Sequence, residues 1–267
     1  MSQPRNCTFL LLAKQHGGEW MRVWDVHPGY LSRQSLLGQH VEIHAIFSVL
    51  CGRRKGYSRH PETLRWESHL DSLAACHDLT VKEMALRGHN HASPIKVDEI
   101  TRERNSEKLQ YVDKPARQFD LLQLKYLQKR QCGRIPLPNN GSAFWSHYKY
   151  SVMGRGYRYY QEIKQFLNQH KDDPIGQSDE LIEQILFYMK KVPTEKSLLN
   201  VTDHLWGYFM QVSSAAEHEI FSELKNPCVQ LDYLYSLAQK YKQTDLLHST
   251  IFADFNPYFP QAAFTAF

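Results

Sequence analysis

Apolar positions recur at helical spacing along most of the chain. Leu36, Leu37, Val41, Ile43, Ile46, Phe47 and Leu50 form a stripe that predicts an amphipathic helix over 32–50, entered after the turn signal Pro28-Gly29 and stopped at Gly52. A second helix is predicted over 62–86, closed by Arg87-Gly88, and a third over 117–130 through Phe119, Leu122, Tyr126 and Leu127. Residues 96–115 are charged and poorly periodic and read as a loop. The run GRIPLPNNG from Gly133 to Gly141 is the clearest boundary signal. Beyond it helices are predicted over 142–169, 178–191, 196–212, 215–224 and 229–241; Leu181, Ile182, Ile185, Leu186 and Met189 give the cleanest stripe. No segment reads as a strand. The expected fold class is all-α, two helical modules at 21–134 and 141–260 joined by a Pro/Gly/Asn-rich linker, with residues 1–20 an aperiodic extension.

Composition narrows the function classes. Hydrophobic residues make up 42% of the 267, enough for a core, and the net charge of +4 permits a polyanionic partner without demanding one. The five cysteines (Cys7, Cys51, Cys76, Cys132, Cys228) are scattered, as for reduced thiols of a cytoplasmic protein. No stretch approaches the ~20 apolar residues of a membrane helix, so no membrane is expected. There is no Gly-rich phosphate loop, no G-x-S-x-G and no nucleotide fingerprint, which removes the kinase and serine-hydrolase classes. His89 and His91 stand one residue apart, but no H-E-x-x-H, no cysteine cluster and no third ligand at a usual spacing accompanies them. Neither a metal nor a cofactor is therefore expected. His27 and His60 each precede a proline, a setting for a fixed, hydrogen-bonded imidazole that either lines a site or serves structure.

Two stretches carry candidate nucleic-acid contacts. Arg53, Arg54, Lys55, Tyr57, Arg59 and His60 put cations and one aromatic into a single loop, either a phosphate clamp with a base-stacking ring or a solvated basic loop. Between Trp145 and Tyr160 six aromatics interleave with His147, Lys149, Arg155 and Arg158, and no acid interrupts them. With Tyr150 among the rings, this suits single-stranded or looped nucleic acid, or else a helix whose rings pack inside. His204 and the segment Trp206 to Phe209 read mostly as core.

The opening MRVWDVHPGYL from Met21, the loop KGYSRHP ending at Pro61 and the LRGHN run ending at Asn90 together resemble the pyrimidine-dimer DNA glycosylase (endonuclease V-like) family over about 21–134. In that family a free N-terminal α-amine attacks the deoxyribose C1′ to give a Schiff base, a helix glutamate assists, and strand cleavage follows by elimination. The resemblance places the glutamate at Glu42 and the amine at Met21, next to Arg22 as a candidate phosphate contact. Gly38 and Ala45 lie one turn from Glu42 and leave room for a sugar or base. The extra helix arginines of the phage enzyme correspond here to Val41 and Ala45. An α-amine has a pKa of about 7.7–8.0 against about 10.4 for lysine, so far more of it is the neutral nucleophile at pH 7. The composition break at Met21, and codons for Gly18-Glu19-Trp20 that can spell a ribosome-binding sequence, lead us to expect that translation begins at Met21.

FWSHYKYSVM from Phe144, YRYYQEI from Tyr157 and NVTDHLWGYF from Asn200 resemble the YbgA-like domain over about 142–260. Relatives fuse it to thiouracil desulfurases acting on transfer RNA, which implies an RNA-directed role. Two readings remain open: a base-excision N-glycosylase with lyase activity on damaged DNA or tRNA, and a non-catalytic DNA- or tRNA-binding protein that keeps the fold. A third, weaker one makes the second module a protein adaptor.

Overall fold

The computed structural model describes residues 22–53, 56–95 and 109–255. The 1–20 extension, Met21, Arg54, Lys55, most of the predicted 96–115 loop and the end of the second module from residue 256 lie outside the described residues. Those described form helices and turns without a strand, bar one isolated bridge between Asn140 and Pro174.

The chain enters through an extended segment and a 3-10 turn, Pro28–Tyr30, where His27 accepts the Gly29 N–H. Helix α1 is Arg33–Leu50, capped by the Ser32 hydroxyl on the Ser35 N–H. The helix predicted over 62–86 is instead two, a short α2, Pro61–Leu64, and α3, Leu70–Leu86. Between them Ser68 adopts a left-handed conformation (φ 63°), and the break drops Trp66 into the core beside Ile43, Ile46 and Leu73. Helix α4 is Pro115–Lys129.

In the second module α5, Gly141–Arg155, and α6, Tyr157–His170, replace the single helix predicted over 142–169. Gly156 divides them, and a Cβ there would lie 2.9 Å from the Tyr159 ring. The remaining helices are α7 Asp179–Met189, α8 Glu195–Trp206, α9 Ala215–Glu223, α10 Pro227–Lys240, α11 Thr244–Leu247 and α12 Ile251–Asp254. Thr194 and Ser214 open α8 and α9 with capping boxes.

The two modules share a core. Tyr30 meets Phe119 edge-to-face at 5.0 Å, Phe119 meets Phe144 at 5.7 Å, and Phe144 lies 4.6 Å from Tyr148, so rings run unbroken from the N-terminal turn into α5. The Pro/Gly/Asn-rich stretch is a packed strap, not a free tether. Ile135 is fully buried and donates its N–H to the Gly29 carbonyl at 2.9 Å. Gly133 sits so close to Tyr30 that a Cβ would come within 2.4 Å of the Tyr30 carbonyl oxygen, which only glycine permits.

Candidate functional site

Residues 23–25 are tied to the rest of the fold by hydrogen bonds. The Trp24 N–H donates to the Gln39 side chain at 2.9 Å, three residues before Glu42 on α1, and Gln39 in turn donates to Thr80 of α3 at 2.9 Å. Asp25 accepts from Arg65 at 2.9 Å and Gln118 at 2.8 Å, while Arg65 also donates to the Val23 carbonyl and to Glu62. Burial raises the Asp25 carboxyl above its usual range against the pull of Arg65. Arg22, sought as a phosphate contact, is instead buried against Asp113 and lies 4.7 Å over the Trp24 ring.

Glu42 is half-buried on α1, one turn beyond Gln39, which accepts the Trp24 N–H. At about 100° per residue it stands about 160° around the helix from His40 and from His44. Gly38, one turn before it, is exposed, and a Cβ there would meet nothing within 4 Å. Met21 falls outside the described residues, but the segment that follows it is fixed along the Gln39 side of α1.

In the basic loop, Arg53, Tyr57 and Arg59 are exposed, Tyr57 by 74%. Its ring is therefore open to stacking, with Arg53 and Arg59 in the same loop. His60 has a structural task, for its Nδ1 accepts the Glu62 N–H and caps α2. His27 is likewise structural, capping the 3-10 turn and facing Asp254 at 3.5 Å.

The interleaved stretch of the second module is largely taken inside, a correction to the surface expected from its composition. His147 is buried and bonded to the Tyr30 hydroxyl at 3.0 Å, its pKa pushed down to about 4 by burial and then by His248 and Arg134. Tyr150 is buried with its hydroxyl 2.6 Å from that of Tyr208. Arg155 is buried too, donating to the Met189 and Ser151 carbonyls and facing Asp254 at 3.8 Å. Helix α5 is central, packed against α6, α7, α8 and α12, so it has little surface for a ligand. Of the residues sought there, Lys149 lies partly exposed over the Tyr150 ring and Arg158 is exposed but paired with Glu162 at 2.7 Å.

Between the modules lies a buried ionic knot. Glu83 on α3 is fully buried and accepts from Arg87 at 2.8 Å and from Arg134 at 2.8 and 2.7 Å. Burial pushes its carboxyl up, yet Arg134 and Arg87 win and hold it at about 2. Arg134 also donates to the Leu247 and Ser249 carbonyls, and Arg87 to those of Pro28, Gly29 and Leu31.

One cluster escaped the sequence reading altogether. His40 and His44 on α1, His77 on α3 and His91 just beyond it converge, with one ring nitrogen from each within 4.8 Å of all the others. Where spacing along the chain offered His91 no partners at a usual metal-ligand interval, the packing of α1 on α3 supplies three.

Residues 21–97 match the family model described as Pyrimidine dimer DNA glycosylase, and residues 149–258 match one described as Protein of unknown function (DUF1722). No curated protein and no solved structure matches the chain. The first module is thus glycosylase-like, and the second corresponds to the YbgA-like resemblance. Among the described residues no helix is long and apolar enough to cross a membrane.

Proposed function

We propose that the chain is a base-excision N-glycosylase with associated lyase activity, acting on pyrimidine dimers in DNA, with Met21 as the first residue of the active form. The observation that carries the reading is the family match, which opens at Met21, the residue whose amine would attack. The neutral α-amine adds to C1′ of one nucleotide of the dimer as the N-glycosidic bond breaks; the bonding pair goes to the base, which stays joined to its neighbour within the dimer. The added nitrogen loses a proton, the C1′–O4′ bond opens to the iminium with O4′ taking a proton, and loss of a C2′ proton then expels the 3′ phosphate by elimination. Glu42, one turn beyond the exposed Gly38 on α1, is the residue to shuttle these protons. The bound segment 23–25 would hold the amine at a fixed height along α1. Tyr57 is the ring available to stack on a displaced base, with Arg53 and Arg59 for phosphate. Because His147, Tyr150 and Arg155 are buried, the second module gives less ground for a tRNA substrate than its composition did.

Strand cleavage of ultraviolet-irradiated duplex DNA tests this with a chain starting at Met21. Cleavage is expected in irradiated duplex and not in unirradiated duplex or irradiated tRNA. Glu42→Gln should lower the rate by about 10²- to 10⁴-fold while leaving binding intact. Salt-sensitive binding with no cleavage of any substrate would instead favour the non-catalytic binding protein.

A further inference from the structure

We propose that His40, His44, His77 and His91 form a structural binding site for one divalent late first-row transition metal, with zinc the ion of best fit. The four rings come from three segments. His40 and His44 are one turn apart on one face of α1 and their Nε2 atoms are 3.2 Å apart. His77 projects from the neighbouring α3, its ring centre 5.2 Å from that of His40 and 4.9 Å from that of His44. His91 follows Gly88, whose left-handed conformation (φ 72°) ends α3 and turns the chain back, and its ring lies 5.0 Å from His40 and 5.1 Å from His77.

The hydrogen bonding points to a cation at the centre. The Nε2 atoms of both His77 and His91 are buried without a hydrogen-bond partner, and the side chain of His77 is only 1% exposed. A buried polar atom without a partner costs about 1–3 kcal/mol, and two such atoms in one cluster of four imidazoles are a poor arrangement unless a shared ligand satisfies them. Four rings this close also cannot all be protonated. Burial and the neighbouring histidines together press His40 down to about 4, and His44 and His91 are lowered as well. A neutral imidazole is the form that offers a lone pair to a metal.

The outer contacts fit the same role. The Asp78 carboxylate lies 3.2 Å from His77 Nδ1, the carboxylate–histidine pairing that fixes a ligand's tautomer and turns its other nitrogen inward. Tetrahedral zinc at Zn–N of about 2.0–2.1 Å needs its ligand nitrogens about 3.3–3.4 Å apart. The 4.8 Å limit of the cluster is within reach of small ring rotations. An all-imidazole set suits zinc, copper, nickel, cobalt or iron rather than magnesium or calcium. Four protein ligands close the coordination sphere, so the ion would tie the segment after α3 to α1 and not activate water. Glu42 lies on the other flank of α1, so the site stands or falls apart from the amine chemistry.

The test is zinc binding by the full chain, stripped with chelator and titrated with zinc alone, beside His91→Gln and His44→Gln variants. We expect one zinc per wild-type chain, a higher melting temperature with zinc, and at least a 100-fold loss of affinity in each variant, on the scale by which even outer contacts weaken such sites. Helical circular dichroism identifies any variant that fails to fold. Cobalt provides a second readout that needs no variant, because a tetrahedral four-nitrogen site gives an intense visible band. No stoichiometric zinc in the wild type, variants that fold and bind zinc as tightly, or an octahedral cobalt spectrum would each overturn the proposal.

Discussion

Glu83 shows how one side chain holds a boundary. Its carboxylate is fully buried and its charge is tolerated because two guanidiniums, from α3 and from the strap, enclose it. Its pKa falls from 4.5 to about 2 on folding, so the stability it contributes is fully present above about 4.5 and is lost as pH falls towards about 2. Glu83→Gln leaves both arginines uncompensated and should cost about 3–5 kcal/mol at neutral pH. Urea unfolding at stepped pH checks this: the gap between parent and variant should narrow below about pH 4.5. A constant gap down to pH 2 would deny the ion pairing. Single residues also mark where sequence reading fell short. Gln39 and Arg65, which fix the entering segment, had no signal beyond their polar type, because their partners are set by packing and not by chain spacing.

Elements explain most of the agreement and the main differences. Helices α1, α4, α7, α9 and α10 were legible because each keeps an apolar stripe on one face, and their ends fall near capping or turn residues, whereas α8 stops at Trp206, short of the predicted 196–212. The strap was legible as a break in pattern, yet its composition suggested looseness while Ile135 is locked against Gly29. Ile135→Ala should destabilise the protein by about 2–5 kcal/mol, with tryptophan fluorescence and helical circular dichroism shifting to the same lower urea midpoint. Separate transitions for the two signals would mean that the strap does not couple the modules. Helix α5 misled for a definite reason: a helix buried on most sides has little polar face to reveal its orientation, and buried arginine, histidine and tyrosine with internal partners look in sequence like an RNA-binding surface. The histidine cluster was hidden because its members come from three segments, joined only when α1 lies along α3.

At the scale of the molecule, two family patterns are built on one shared core. The ring series from Tyr30 to Tyr148 and the Glu83–Arg134 knot tie the glycosylase-like module to the second one. That module therefore supports the scaffold carrying Glu42 instead of hanging from it, while Arg53, Tyr57 and Arg59 of the basic loop stay at the surface. The proposed chemistry requires the amine of Met21 to be the nucleophile. Borohydride trapping on irradiated duplex DNA, followed by mass mapping of the adduct, identifies the attacking group. A cross-link at the α-amine of a chain starting at Met21, with a yield that rises as pH passes about 7.7–8.0, is the predicted result. A cross-link mapped to a lysine, or equal trapping by a chain that starts at Met1, would contradict it.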